Sequence, residues 1–328
     1  MSDQFFKQPM VYAWQQETWQ RLTLRFPDIG HGILLYGKKG AGKKDFALHF
    51  VAWLLCLDKK PQAACGVCAS CQWLKSNTHP NYVHISTDDD SKQVHAQIKI
   101  DKIREIQPFV QQTVEGWRVV LIEPAEALNT AAANALLKTL EEPGERTMII
   151  LLTDHLLKLP ATIRSRLQRY ALDRLSTEEA YTHVSQHAPE LNQHQIQLLL
   201  NLAYDMPLRA LELAPQAWLE QRQALLHDWL SLVKHKNGLV RYANKWAKAL
   251  SFIELCQMMQ YLITDMIALK LNQQIKNIDL NFSDILSYYD LNTLFNISHK
   301  LQDAKMYMQQ NIQSQLMIDD LFVMLLNL

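Results

Sequence analysis

The stretch LLYGKKGAGKKDF, residues 34–46, contains the glycine-rich pattern of a phosphate-binding loop between an apolar run and a helical pattern. Three glycines allow backbone N–H groups to converge on phosphate oxygens: Gly37, Gly40 and Gly42. Lys43 follows them as the cation for the β and γ phosphates, but the hydroxyl residue that should ligate magnesium is replaced by Lys44. The sequence predicts a degenerate nucleotide site in which ATP binding is doubtful; a glycine-rich turn without a ligand is the alternative.

The sequence around this loop predicts alternating strands and helices up to about residue 170. Short β-rich runs predict strands at 32–36, 82–86, 118–123, 148–153 and 167–172. Helical patterns lie between them at 42–57, 101–113 and 129–142. Such alternation predicts an α/β domain with a doubly wound parallel sheet.

The rest of the chain predicts only helices, because apolar residues recur there at three- and four-residue spacing. Ser176 and Glu179 form the sequence pattern of a capping box, which places a helix start near residue 176. A softer break lies at Pro215. The resulting domain prediction is 1–173, 174–214 and 215–328.

A second half of a nucleotide site is predicted where the run RVVLIE ends, because an acidic residue there commonly holds magnesium. Glu123 stands at that position, but the next residue, where a base for the attacking water belongs, is Pro124. Proline carries no proton-transfer group. Together with Lys44, this second change predicts that hydrolysis has been lost.

Four of the five cysteines lie close together, with the spacing C-x8-C-x2-C-x2-C, and predict a structural zinc site. Its ligands would be Cys56, Cys65, Cys68 and Cys71. An iron–sulfur cluster and a redox pair are the alternatives. His79 is better interpreted as a hydrogen-bonded loop histidine than as a ligand, and Cys256 as a buried helical cysteine.

Charge and hydropathy narrow the function classes. The 328 residues contain 33 basic and 33 acidic side chains, so the formal net charge is zero. A chain that wraps around nucleic acid would be expected to carry a positive net charge. The N-terminus has no signal-peptide pattern, and the apolar run at 46–57 is too short to span a bilayer. These features predict a cytoplasmic protein without a membrane partner.

Four motifs together resemble the clamp-loader branch of the AAA+ family, in particular the bacterial DNA polymerase III clamp loader. They are the cysteine spacing after the loop helix, NTHPNY at 77–82, LNTAAANALLKTLEEP at 128–143 and TIRSRLQRY at 162–170. The resemblance implies a P-loop AAA+ domain with an inserted zinc module at about 56–71, then a small helical lid and an all-helical C-terminal collar.

The resemblance also implies a function. Clamp loaders are rings of five subunits that use ATP to open a sliding clamp and close it on primed DNA. The implied partners are therefore the clamp-loader ATPase subunits and the delta subunit in a hetero-pentameric ring, with clamp and DNA reached through the complex. For a chain with an altered nucleotide site, the resemblance implies a non-hydrolysing stator subunit.

In the family's S-R-C motif, this chain has Ser165-Arg166-Leu167, and the resemblance implies that Arg166 is an arginine finger acting in trans. A solvated basic edge formed with Arg164 and Arg169 is the alternative. Thr153 matches the sensor-1 position, for which an ordinary strand-end threonine is equally plausible. Leu208 stands where sensor 2 has an arginine.

Two other functions remain open from the residues. An active ATPase motor subunit is favoured by Lys43 and opposed by Lys44, Pro124 and Leu208. A zinc-dependent nucleic-acid-binding protein is opposed by the balanced charge and by the lack of aromatic residues within a basic stripe.

Overall fold

A computed structural model describes residues 5–6, 11–87, 97–112, 115–307 and 314–326 of the chain. Three predicted bounds lie outside these ranges: residue 1 of the first domain, residue 328 of the third domain and residue 113 of the helix 101–113. Within them, one compact unit ends at Ala180 and a second begins at Tyr181. The division of the helical part into a lid and a collar stays a prediction.

The first unit is built on a five-stranded parallel sheet with the order β2-β3-β4-β1-β5. The strands are β1 Gly32–Tyr36, β2 Tyr82–Ser86, β3 Arg118–Glu123, β4 Thr147–Thr153 and β5 Gln168–Ala171. All five predicted strands are confirmed to within a residue or so at each end. Every residue of β4 is buried, as the continuous apolar run of a central parallel strand requires.

Helices cover both faces of this sheet. They are α1 Gln16–Leu24, α2 Lys43–Leu55, α3 Ala69–Lys75, α4 Ile100–Gln111, α5 Thr130–Glu141 and α6 Ala161–Arg164, with short 3-10 turns at Ala13–Gln15, Ala125–Ala127 and Leu156–Lys158. Alternate strand residues point to opposite faces: Ile33 packs in the core shared with α1 and α2, and Leu34 in the core shared with α4 and α5. The predicted α/β fold class is confirmed.

After β5 the described residues form only helices, which confirms the predicted change of class. They are α7 Thr177–His187, α8 Gln193–Leu202, α9 Pro207–Leu213, α10 Gln216–His235, α11 Leu239–Ala249, α12 Phe252–Lys270, α13 Ser283–Leu286, α14 Leu291–Tyr307 and α15 Ser314–Leu326. The capping box before α7 is present, because Ser176 and Glu179 bind each other's backbone N–H.

One helix of the described residues, α12, is long and apolar enough to cross a bilayer by length and composition alone. Leu255, Met259 and Ile263 of this helix are fully buried in the core of the second unit. The apolar composition of α12 is therefore that of a central core helix.

Candidate nucleotide loop, cysteine cluster and arginine finger

The glycine-rich loop lies between β1 and α2, as predicted, and is held from one side by the N-terminal segment. Trp14 and Gln15 donate side-chain hydrogen bonds to the Ala41 carbonyl at 3.1 and 2.7 Å. Gly42, the N-cap of α2, has a φ of +78°. A Cβ there would lie 2.6 Å from a Tyr12 ring carbon, so glycine is required by both conformation and space.

Lys43, the predicted phosphate-binding lysine, is buried and saturated by acceptors of its own chain. Its Nζ donates to the carbonyls of Gly37 and Lys38 at 2.8 and 3.0 Å. It also lies 2.5 Å from the carboxylate of Asp154, the residue directly after β4. An ammonium has three N–H donors, and three acceptors surround this one.

Lys44 lies next to Glu123, the carboxylate at the position predicted to hold magnesium. Its Nζ is 3.0 Å from Glu123 Oε2, and His84 Nε2 is 3.6 Å from the same oxygen. Burial alone would raise the pKa of Glu123, but hydrogen bonds and charge from His84 and Lys44 hold that pKa below its usual value. A protein ammonium thus takes the position next to this carboxylate that a bound cation would need.

Further groups around the loop are engaged within the chain. The amide of Lys38 donates to the carboxylate of Asp173, which follows β5, at 3.0 Å. Glu126 accepts from the amide of Asp154 at 3.2 Å. Carboxylates of this chain therefore meet both the loop lysine, through Asp154, and the loop backbone, through Asp173.

The two sensor positions lie on different elements. Thr153 ends β4 beside Tyr36, the last residue of β1, and its hydroxyl accepts from the His155 amide at 3.0 Å. Its predicted role at a γ-phosphate stays a prediction. Leu208 lies in α9, and the neighbouring Arg209 pairs with Glu212 at 2.6 Å.

The structure brings together the four cysteines predicted to hold a metal. Their sulfur atoms, from Cys56, Cys65, Cys68 and Cys71, all lie within 4.8 Å of one another. The sulfur atoms of Cys56 and Cys68 are 3.9 Å apart, and those of Cys65 and Cys71 are also 3.9 Å apart. The cluster forms because Cys56 ends α2, while Cys68 and Cys71 lie at the start of α3. Four thiols in this arrangement can hold a metal ion.

The cysteine side chains differ in acidity. Burial opposes ionisation of Cys68, but hydrogen bonds from the backbone near Cys71 and Leu57 and from neighbouring thiols lower the pKa of Cys68 to about 6. Burial raises the pKa of the Cys56 and Cys71 thiols.

His79 is a hydrogen-bonded histidine and Cys256 a buried helical cysteine, as the sequence predicts. The Nε2 of His79 lies 2.9 Å from the Ser70 hydroxyl, and its Nδ1 accepts from the Asn81 amide at 3.0 Å. It is not a member of the cysteine cluster. Cys256 is fully buried in α12.

Arg166 lies just after α6 and is partly exposed. Its Nε and Nη2 donate to Oε1 of Glu141 at 2.9 and 2.6 Å, and its Nη1 donates to the Thr162 carbonyl at 2.9 Å. No local sequence pattern connects Glu141 to this arginine, because the two residues belong to different helical segments. The role of Arg166 as a finger stays a prediction.

Comparison with known proteins identifies the family. A family model described as "DNA polymerase III, delta subunit" matches residues 14–176. The chain is 36% identical over 238 residues to DNA polymerase III subunit delta' of Pseudomonas aeruginosa, covering 72% of this chain and 71% of that one. It is 30% identical over 233 residues to the Haemophilus influenzae subunit of the same name, covering 70% and 69%.

A further relative is the tau/gamma subunit of DNA polymerase III from Haemophilus influenzae, 33% identical over 161 residues, which are 48% of this chain and 22% of that protein. The parallel sheet, the glycine-rich loop between β1 and α2, and the relatives together define the chain as an AAA+ protein of the clamp-loader class. Within that class, the chain belongs to the family of DNA polymerase III delta-prime subunits.

Proposed function

We propose that this chain is a non-hydrolysing stator subunit of the DNA polymerase III clamp loader and helps to load the sliding clamp on primed DNA. The observation that carries this proposal is the internal neutralisation of the nucleotide loop. Lys43 is saturated by Asp154 and two loop carbonyls, and Lys44 pairs with Glu123. The two lysines at the start of α2 thus meet protein carboxylates.

Loss of hydrolysis follows from three independent deficits. A magnesium ion would have to displace the Lys44 ammonium from Glu123. Pro124 offers no base for the attacking water, and Leu208 stands at the sensor-2 position. Since phosphoryl transfer depends on positioning and charge stabilisation, a site that lacks the metal ligand, the base and an arginine has little left to catalyse it.

Arg166 fits a role on a neighbouring subunit. A guanidinium is always charged and planar, so it can stabilise charge on a phosphoryl group that another chain holds. In this proposal its partners are the clamp-loader ATPase subunits and the delta subunit in a hetero-pentameric ring. The clamp and primed DNA are reached through that complex, in the cytoplasm and without a membrane.

The cysteine cluster fits one structural zinc ion. Zinc–sulfur bonds of about 2.3 Å in a tetrahedron separate the sulfurs by about 3.8 Å. The two measured sulfur pairs are 3.9 Å apart. An iron–sulfur cluster places several atoms between the thiolates and needs a wider cage. Four thiolates leave no open position on zinc, so its role is to hold Cys56 at the end of α2 against α3.

The absence of hydrolysis is tested on the isolated chain. The purified protein, incubated with ATP and magnesium, is expected to release phosphate at the background rate. Lys43→Ala serves as the comparison, because it removes the loop cation and should change nothing. Steady turnover that this substitution abolishes would instead establish an active motor subunit.

The arginine finger is tested in a reconstituted clamp loader. Arg166→Ala is expected to slow hydrolysis by about 10³-fold or more at one ATP site, leaving the other sites active. Arg169→Ala, an exposed arginine of the same segment, is the matched control and should behave like the unaltered protein. Unchanged DNA-stimulated turnover and clamp loading with Arg166→Ala would remove this residue from the mechanism.

A further inference from the structure

Arg166 is held by two acceptors of its own chain, and these take three of its five N–H groups. A guanidinium carries five N–H groups, one on Nε and two on each terminal nitrogen. Glu141 accepts from Nε and Nη2, and the Thr162 carbonyl accepts from Nη1. One further N–H on each terminal nitrogen remains, and a guanidinium can use N–H groups of both terminal nitrogens to bind two oxygens of a phosphate.

We propose that Glu141 is a positioning residue, which holds the Arg166 guanidinium so that its terminal edge faces a phosphate bound by the neighbouring subunit. The inference rests on the proposed arginine finger and adds a second residue to it. Glu141 itself touches no phosphate in this proposal. It acts through the orientation of Arg166.

The two anchors belong to packed helices rather than to loose loops. Glu141 is the last residue of α5, and the adjacent Leu140 is buried in the core beneath the sheet. Thr162 lies in α6, where the next residue, Ile163, is buried in the same core. A side chain fixed by such supports loses less freedom when it meets a ligand, which is how a supporting shell raises reactivity.

Stability does not explain this ion pair. The side chains of Arg166 and Glu141 are 36% and 51% exposed, and pairs at that exposure contribute little to folding because water screens them. The geometry is nevertheless well defined, since Nε and Nη2 share one carboxylate oxygen at 2.9 and 2.6 Å. Because this contact adds little to folding but has a defined geometry, we infer that it orients the Arg166 guanidinium.

The charge of Glu141 and its acceptor oxygen have opposite consequences at the neighbouring site. A negative charge beside the finger opposes binding of a phosphate, whereas the oxygen orients the guanidinium. Glu141→Gln keeps an acceptor oxygen without the charge, and Glu141→Ala removes both. If orientation is the role, the glutamine variant stays active and the alanine variant does not.

The experiment measures single-turnover ATP hydrolysis by the reconstituted clamp loader across a range of ATP concentrations. Glu141→Ala is expected to lower the rate constant at the affected site by about 3- to 30-fold, with little change in the half-saturating ATP concentration. Glu141→Gln is expected to stay within about threefold of the unaltered complex. Glu142→Ala, at the neighbouring exposed position, should have no effect.

A double variant separates positioning from a general structural role. With Arg166→Ala already present, adding Glu141→Ala should lower the rate no further, because the group that Glu141 orients has gone. A full-rate Glu141→Ala complex, or losses that multiply in the double variant, would overturn the positioning role alone. If Arg166→Ala has no effect, both the finger and its positioning residue are rejected.

Discussion

At the scale of single residues, the ammonium group of Lys44 changes the chemistry of the nucleotide loop. Its sequence position only predicts a positive charge near a cation site. The structure adds the carboxylate of Glu123 at 3.0 Å, so the charge is neutralised rather than left to repel magnesium from a distance. Lys43 is matched in the same way by Asp154 at 2.5 Å.

Lys44→Thr should therefore open the cation position. Threonine supplies the hydroxyl that magnesium lacks here and frees Glu123 from its ammonium partner. We expect magnesium-dependent ATP binding to tighten by about tenfold or more, measured by titration calorimetry with and without magnesium. Hydrolysis should stay at background because Pro124 is unchanged.

Lys39→Thr is the matched control for that titration, since Lys39 lies in the same loop but does not replace the hydroxyl residue. Equal affinities for the Lys44→Thr and Lys39→Thr variants would show that the Lys44 ammonium is not what keeps magnesium out.

The same pair of residues predicts a pH dependence. Because its partners depress the pKa of Glu123 in the folded state, the ion pair adds stability above the unfolded pKa, and this is lost as pH falls through the folded pKa. Lys44→Thr removes one depressing partner. Its thermal midpoint should lie below that of the unaltered protein near pH 7, and the difference should shrink at about pH 3. A difference that is constant with pH would contradict this assignment.

At the scale of elements, α5 depends on a side-chain cap. Asn129 accepts a hydrogen bond from the Ala132 amide at 2.8 Å, which satisfies one of the free N–H groups at the start of the helix. Asn129→Ala should lower the free energy of unfolding by about 1 kcal/mol in chemical denaturation. Asn129→Asp keeps the acceptor and should cost much less; equal losses in both variants would show that the cap is not responsible.

The cysteine segment is an element that we expect to depend on a metal. Cys65→Ser should reduce bound zinc from about one equivalent to near zero by metal analysis, and should lower the thermal midpoint. Cys256→Ser changes a cysteine outside the cluster and should retain the metal. Absence of zinc from the unaltered protein, or an iron signal in its place, would refute the zinc assignment.

At the scale of the whole molecule, the two units are stabilised differently. The first has a core on each face of its sheet, whereas in the second a core of buried apolar residues lies among the helices from α10 to α15. A buried polar network completes the second unit. Asp265 accepts from the backbone amides of Lys276 and Asn277, and Asn277 accepts from Arg222, which also pairs with Asp279.

Asp265→Ala should lower the free energy of unfolding of the second unit by about 3–5 kcal/mol, because it leaves buried amide donors without an acceptor. Zinc content should not change, since the cysteines belong to the first unit. Asp320→Ala, an exposed acidic residue of α15, is the comparison. Similar denaturation curves for both variants would rule out the network as a source of stability.

Much of the fold could be predicted from the sequence because it depends on local patterns. The continuous apolar run of β4, the three- and four-residue spacing in α12 and the Ser176 capping box each depend on nearby residues only. The cysteine cluster was predictable for the same reason, since its four members fall within a short segment. The membrane-like composition of α12 is the exception, because only packing shows what covers it.

The sequence by itself determined the parallel α/β fold, the helical second half, the altered glycine-rich loop and the grouping of four cysteines that could hold a metal ion. Only the tertiary structure decided which carboxylates meet which N–H donors. Asp154 reaches Lys43, Asp173 reaches the Lys38 amide, and Glu141 reaches Arg166. The first two acids follow β4 and β5, the strands on either side of β1, and parallel strands present their carboxyl ends at one edge of the sheet. Such partners are neighbours through strand order, which no local pattern of residues specifies.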